Sequence, residues 1–165
     1  MKVLVLYDYP ASPGGLATQG ELLYRGLKEI GVDVYPVNFE AAQEKEWYYR
    51  WFKPDIVVGI GYWGHAPHLI LHPQQYGAQT VPWLVADGYI ANYQEILNDL
   101  PLIRVTTSGV KEVYIREGIK GDNIEVWQMA NSLTRRWAEA RQAKSQLDLL
   151  AKWAEERAEE TVKAN

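Results

Sequence analysis

Lys2-Val3-Leu4-Val5-Leu6-Tyr7, running into Asp8-Tyr9-Pro10-Ala11-Ser12-Pro13-Gly14-Gly15-Leu16, is the stretch that decides the fold. The run up to Tyr7 is β-branched and aromatic enough for a buried strand. After the Pro/Gly loop, Leu16, Gly20, Leu23, Leu27 and Ile30 recur at helical spacing, and Gly31 supplies the residue type that ends helices. A strand, a loop and a helix therefore follow one another. Paired glycines let backbone N–H groups approach a ligand, and the first turn of a helix adds unpaired donors carrying partial positive charge. Such a loop suits an anion; the same glycines also suit a tight turn with no ligand.

Outward from this unit the pattern repeats. Val32 to Phe39 alternates as a second strand, with Pro36 placing it towards an edge or a strand end. Glu40 to Phe52 reads as a helix that stops before Lys53-Pro54. Asp55 to Ile60 is a continuous apolar run of the kind buried on both faces of a parallel sheet. A loop from Gly61 to Pro67 leads into a short helix through Leu69, Ile70 and Leu71, and Thr80 to Ala86 is a fourth strand closed by Asp87-Gly88. A helix over Asn92 to Asp99, a strand over Leu102 to Thr107, a helix capped by Ser108 and a strand over Ile124 to Met129 complete the alternation. The expected fold is α/β and Rossmann-like: a three-layer sandwich with a mostly parallel sheet of about six strands and helices on both faces. Ligands of such sheets bind beyond the carboxyl ends of the strands, which directs attention to Asp8–Leu16, Gly61–Pro67 and Asp87–Tyr93.

From Asn131 the composition changes to dense Ala, Glu, Arg, Lys and Gln without Gly or Pro. Leu133, Trp137, Ala140, Leu147, Leu150, Ala154 and Ala158 form a stripe at helical spacing. Its early basic and late acidic residues oppose the helix dipole, so docking must stabilise it. The expected organisation is a domain over 1–130 and a long C-terminal helix over 131–165, packed on that domain or serving as an oligomer contact.

The chain has 165 residues with 47% apolar and 23% charged content, values ordinary for one soluble globular domain. A net charge of −4 gives no reason to expect nucleic acid as a partner. Without cysteine there are no disulfides, thiol catalysis or thiolate metal sites. The sequence starts directly in a core strand and holds no apolar run of membrane-spanning length, and reads as cytoplasmic. Of the 7 Trp and 11 Tyr, Trp47, Tyr48, Tyr49 and Trp51 fall together with Phe52, as expected of core or interface.

Gly59-x-Gly61-x-x-Gly64 follows a strand and matches the dinucleotide-binding pattern, with Asp87 after the next strand as the acidic residue. It stands on the third strand rather than the first, however, and Pro67 and Pro73 interrupt the helix behind it. His65, His68 and His72 have the spacing of ligands on one helical face, but the same prolines break that face and no carboxylate lies among them. No metal or cofactor is expected. His65 alone stands where a substrate contact would lie. Asp87 ends a strand at the ligand side, or merely begins an Asp-Gly turn; Asp8 has the same ambiguity. A phospho-receiver would need an aspartate ending the third strand, where Gly59, Ile60 and Gly61 stand.

Val3-Leu4-Val5 leading into Pro13-Gly14-Gly15-Leu16-Ala17, then Lys53-Pro54-Asp55-Ile56-Val57, then Ser108-Gly109-Val110-Lys111-Glu112 through Arg116-Glu117-Gly118-Ile119 to Ile124-Glu125-Val126 resemble, in order and spacing, the amino-terminal domain of a GT-B glycosyltransferase of the large retaining family 4. The resemblance covers about residues 2 to 129. It implies an acceptor-binding domain whose glycine-rich loop, here Gly14, Gly15 and Leu16, approaches the phosphates of a nucleotide-sugar. It further implies His65 and Asp87 as catalytic residues, and Asp8, Tyr62, Trp63, Tyr89 and Asn92 as contacts to a sugar or lipid acceptor. The donor domain that follows in the family is missing, as is its pair of glutamates. Glu21 and Glu29 have that separation but lie on the first helix. The resemblance thus implies half of a sugar transferase, inactive alone, with the donor domain lost or supplied in trans. A non-catalytic or engineered interaction module and a small nucleotide-cofactor protein remain as alternatives.

Overall fold

A computed structural model describes residues 1–86, 88–127, 144, 145, 147–149, 152 and 163. Strands β1 (Lys2–Tyr7), β2 (Asp33–Asn38), β3 (Ile56–Tyr62), β4 (Gln79–Val85), β5 (Ile103–Val105) and β6 (Ile124–Val126) form one sheet in the order β2-β1-β3-β4-β5-β6. Every pairing is parallel. β2 is the edge strand that Pro36 foretells. The α-helices within residues 1–127 are α1 (Gly15–Glu29), α2 (Ala42–Trp51), α3 (His72–Gln74), α4 (Gln94–Asn98) and α5 (Ser108–Arg116).

The strand order sets the layers. The chain steps one way from β1 to β2, then returns past β1 and continues the other way through β6. Right-handed crossovers therefore put α1 on one face and the later helices on the other. Period-two alternation divides each strand accordingly. Val3, Val5 and Tyr7 of β1 pack with Leu23 and Leu27 of α1, joined by Val58, Val81, Trp83, Trp127 and Leu147. Leu4 and Leu6 face the opposite core with Tyr49 of α2, Leu69, Ile70, Leu97 of α4 and Tyr114 of α5. Gly20 lets α1 sit directly on β1, since a Cβ there would fall 2.2 Å from the Tyr7 ring.

Several elements differ from expectation for local reasons. β3 extends through Gly61 and Tyr62, because its ladder with β4 continues to the pair Tyr62 and Val85. The segment behind it is a succession of helical types: a 3-10 turn over Trp63–His65, a π-helical segment over Pro67–Leu71, then α3. Pro67 and Pro73 each stand at the start of a piece, where a missing N–H is harmless. Thr107, not Ser108, caps α5: it is extended, and its Oγ1 accepts from the Val110 N–H at 3.1 Å. The aromatic cluster is divided, with Tyr49 and Phe52 each 5% exposed but Trp47 and Trp51 55% and 56% exposed.

Of the expected C-terminal helix, Leu133, Trp137, Ala140, Leu150, Ala154 and Ala158 lie outside the described residues. Leu147 is helical and buried. It stands on the α1 face of the sheet, around a void of about 10 Å³ shared with Leu23, Val58, Val81, Leu102, Arg104 and Trp127. Among the described residues no helix is long and apolar enough to cross a membrane.

Candidate functional site

Strand order reverses between β1 and β3, so the loops leaving their carboxyl ends part and leave a crevice. A cleft of about 390 Å³ opens there, lined by Asp8, Ser12–Ala17, Phe39, Glu40, Ile60 and His65. One wall is the loop after β1, which turns through a cis Tyr9–Pro10 peptide. It is tied to the end of β2 by Asn38, whose Nδ2 donates to the Tyr9 carbonyl at 2.9 Å while its Oδ1 accepts from the Glu40 N–H at 2.9 Å. Within the loop the Ser12 hydroxyl donates to Asp8 Oδ2 at 2.5 Å.

α1 begins at this wall. Its N-cap is Gly14, no side chain caps it, and no acidic residue stands in its first turn. The donors that Ser, Thr or Asp would ordinarily satisfy thus remain open towards the cleft. A Cβ added at Gly14 or Gly15 would meet nothing within 4 Å. The absence of side chains here leaves space in front of the backbone rather than room for a packed neighbour. The arrangement can receive an anion.

The glycines of the dinucleotide-like pattern serve packing instead. A Cβ on Gly59 would fall 2.9 Å from Leu69, one on Gly61 2.5 Å from His65 Nδ1, and one on Gly64 2.5 Å from the Tyr62 ring. Gly61 thereby seats His65 on the end of β3. The imidazole lies between Phe39, at 4.6 Å between ring centroids, and Tyr62, at 4.3 Å. Its Nδ1 is buried without a partner among the described residues. Burial lowers the His65 pKa and the nearby His68 adds to that, while Glu40 acts in the opposite sense. The neutral imidazole is favoured, a form that can accept a proton from a hydroxyl.

The structure thus brings Asp8, Gly14, Gly15, Leu16 and His65 together. Tyr62, Trp63 and Tyr89 do not line the cleft but continue from His65 as a chain of ring contacts, with Tyr62 and Trp63 5.5 Å apart and Trp63 and Tyr89 5.9 Å apart. Asn92 is elsewhere, in a second hollow of about 430 Å³ with Tyr93 to Ile96. Asp87 lies outside the described residues. Among the described residues no three His, Asp or Glu side chains converge as a metal site. Sequence reasoning missed Phe39 and Glu40. The rule that selected the other loops also applies to the end of β2, and only the adjacency of β2 to β1 shows that this end borders the cleft.

No family model matches the chain, and no curated protein matches it. Among solved structures it is similar to Anabaena HepE, described in complex with UDP and glucose, with a TM-score of 0.58 at 10% identity, over 81% of this chain and 46% of that one. The chain thus spans about half the length of HepE and shares the fold of that part. A flavodoxin from the domain Archaea matches at a TM-score of 0.43 and 10% identity, over 86% of this chain and 92% of that one. A flavodoxin from Streptococcus pneumonia TIGR4 matches at 0.37 and 13%, over 88% and 97%. Those two scores are too low to establish a common fold.

Proposed function

We propose that this chain is the acceptor-binding half of a glycosyltransferase, which moves a sugar from a nucleotide-sugar to an acceptor hydroxyl. The observation that carries the reading is the uncapped start of α1 at the β1/β3 crevice, where Gly14 and Gly15 leave the backbone donors open. In the reaction the bond between the sugar and the diphosphate breaks and one to the acceptor oxygen forms. The first turn of α1 stabilises charge growing on the leaving phosphate. His65 and Asp87 are the residues assigned to the proton of the acceptor hydroxyl, while Asp8, Tyr62, Trp63 and Tyr89 hold the acceptor; Asn92, in its separate hollow, is left out of this set. A fold shared with HepE, which binds UDP and glucose, supports this assignment. So does the order of sequence motifs from β1 to β6.

Transfer requires the donor to be held in line with the acceptor, and orientation supplies much of the rate. The first turn of α1 offers only a few backbone donors, so a second domain must close over the nucleotide. Calorimetry should show weak binding of UDP and UDP-glucose and none of NAD; NAD binding without UDP binding would refute the reading. The chain incubated alone with nucleotide-sugars and simple glycosides should form no product. Product that disappears with Asp87→Asn would show that one domain suffices.

A further inference from the structure

Lys45 of α2 is a buried cation, 1% exposed, that the proposed reaction does not use. An ammonium inside a core is costly unless it is paired, and an apolar side chain of the same length would serve packing better. Its Nζ donates instead to one backbone atom, the His68 carbonyl, at 3.1 Å. The helical segment explains why that carbonyl needs it. Over Pro67–Leu71 the pattern is π-helical, in which a carbonyl accepts from the N–H five residues on. The Pro67 carbonyl does so from His72. For His68 the residue five on is Pro73, which has no N–H to give. Lys45 thus supplies from a neighbouring helix the donor that the segment's own sequence withholds.

The tie reaches the cleft. The 3-10 turn Trp63–His65 runs through Ala66, itself in helical geometry, directly into Pro67 and His68. Phe39, which lines the cleft, touches both rings, at 4.6 Å between centroids from His65 and 5.9 Å from His68. Further along the segment α2 holds on again. Glu46 lies 3.7 Å from His72 Nε2, and the Tyr49 ring stands 5.6 Å from that of His72 and 5.0 Å from that of Tyr76. We propose that Lys45 is a positioning residue for the cleft, which fixes the π-helical segment through the His68 carbonyl and thereby the seat of the His65 imidazole. The spacing of the three histidines then has a use other than metal ligation: His65 lines the cleft, and the segment carrying His68 and His72 is held to α2. The bearing of this tie on catalysis rests on the role proposed for His65, whereas the seat of the ring can be measured with no ligand present.

The test follows the histidine ring signals by NMR over a pH titration, with UDP calorimetry alongside, in the parent chain, Lys45→Met and Lys45→Met/Pro73→Ala. Methionine keeps the apolar stem and removes the donor, and alanine at 73 restores an N–H at the position that the π-helical pattern pairs with His68. Lys45→Met should move the His65 ring signals and raise its pKa towards the ordinary value of about 6.5, because a loosened segment lets water reach the ring. The double variant should return both to the parent values. Unmoved His65 signals in Lys45→Met, whatever its melting temperature, make the lysine structural only and overturn the proposal even where UDP binds the parent. Signals that move but are not restored by Pro73→Ala overturn it too. Movement that the double variant reverses sustains the proposal even where UDP does not bind, a result that counts against the reading of the cleft alone. Where Lys45→Met does not fold, the double variant decides: a folded chain with parental His65 signals sustains the tie, and displaced signals overturn it.

Discussion

Glycines with the same sequence appearance do opposite things in this molecule. At Gly59, Gly61 and Gly64 the missing Cβ is replaced by a neighbour's side chain, whereas at Gly14 and Gly15 it is replaced by open cleft. Substitution should separate the two groups. A Cβ at Gly15 meets no protein atom within 4 Å, so the melting temperature of Gly15→Val should stay within a few degrees while UDP affinity falls by roughly tenfold, because the added branches stand between ligand and backbone. Equal losses of stability and affinity would reduce Gly15 to a turn residue. Gly61→Ala instead forces His65 aside. It should lower stability by about 1–3 kcal/mol, as overpacking does, and shift the His65 imidazole resonances; an unperturbed His65 spectrum would show that Gly61 does not seat the ring.

Among the elements, α2 and the π-helical segment are joined by an unusual tie. Lys45 is 1% exposed, and its Nζ donates to the His68 carbonyl at 3.1 Å. Burial lowers its pKa from 10.5 to about 8. Between those values the unfolded chain holds the proton that the folded chain has released, so this group makes stability rise with pH. At about 1.4 kcal/mol per unit, urea denaturation from pH 8 to 9.5 should show a gain on the order of 2 kcal/mol in the parent chain relative to Lys45→Met. Comparison with the variant cancels the other groups that titrate there. A constant difference across the range would mean that Lys45 keeps its proton through a partner stronger than one carbonyl.

At the scale of the whole molecule, both faces of the sheet are covered. Among the described residues, α2, α4, α5 and the π-helical segment pack on the face of Leu4 and Leu6, and α1 packs around β1 on the other. On that second face Leu147 packs with Val81, Trp83, Arg104 and Trp127. The Arg104 guanidinium pairs with Glu125 and lies 5.0 Å over the Trp127 ring, so this patch also shelters a charge. Leu147→Ala should cost about 2–5 kcal/mol, as for other large-to-small core changes, while Leu149→Ala, at a side chain 65% exposed, should be close to neutral. Denaturant titrations of the two variants would check this; equal effects would deny Leu147 its place in the core.

The amino-acid sequence by itself determined the alternation of strands and helices, because period-two and helical spacing are local properties that any window of the chain displays. Pro36 marked the edge strand, and Gly14-Gly15 marked the start of α1. Strand order was not legible, since pairing joins residues far apart in the chain, and with it went the position of Phe39 and Glu40 beside the cleft. Nor could spacing alone distinguish Gly61, filled by His65, from Gly15, filled by nothing. The aromatic run from Trp47 to Phe52 likewise pointed to core or interface without dividing the two, and only the packing of α2 against β2 buried Tyr49 and Phe52 and left Trp47 and Trp51 exposed. Those distinctions are made by which atoms occupy the space around a residue, and only the folded arrangement decides that.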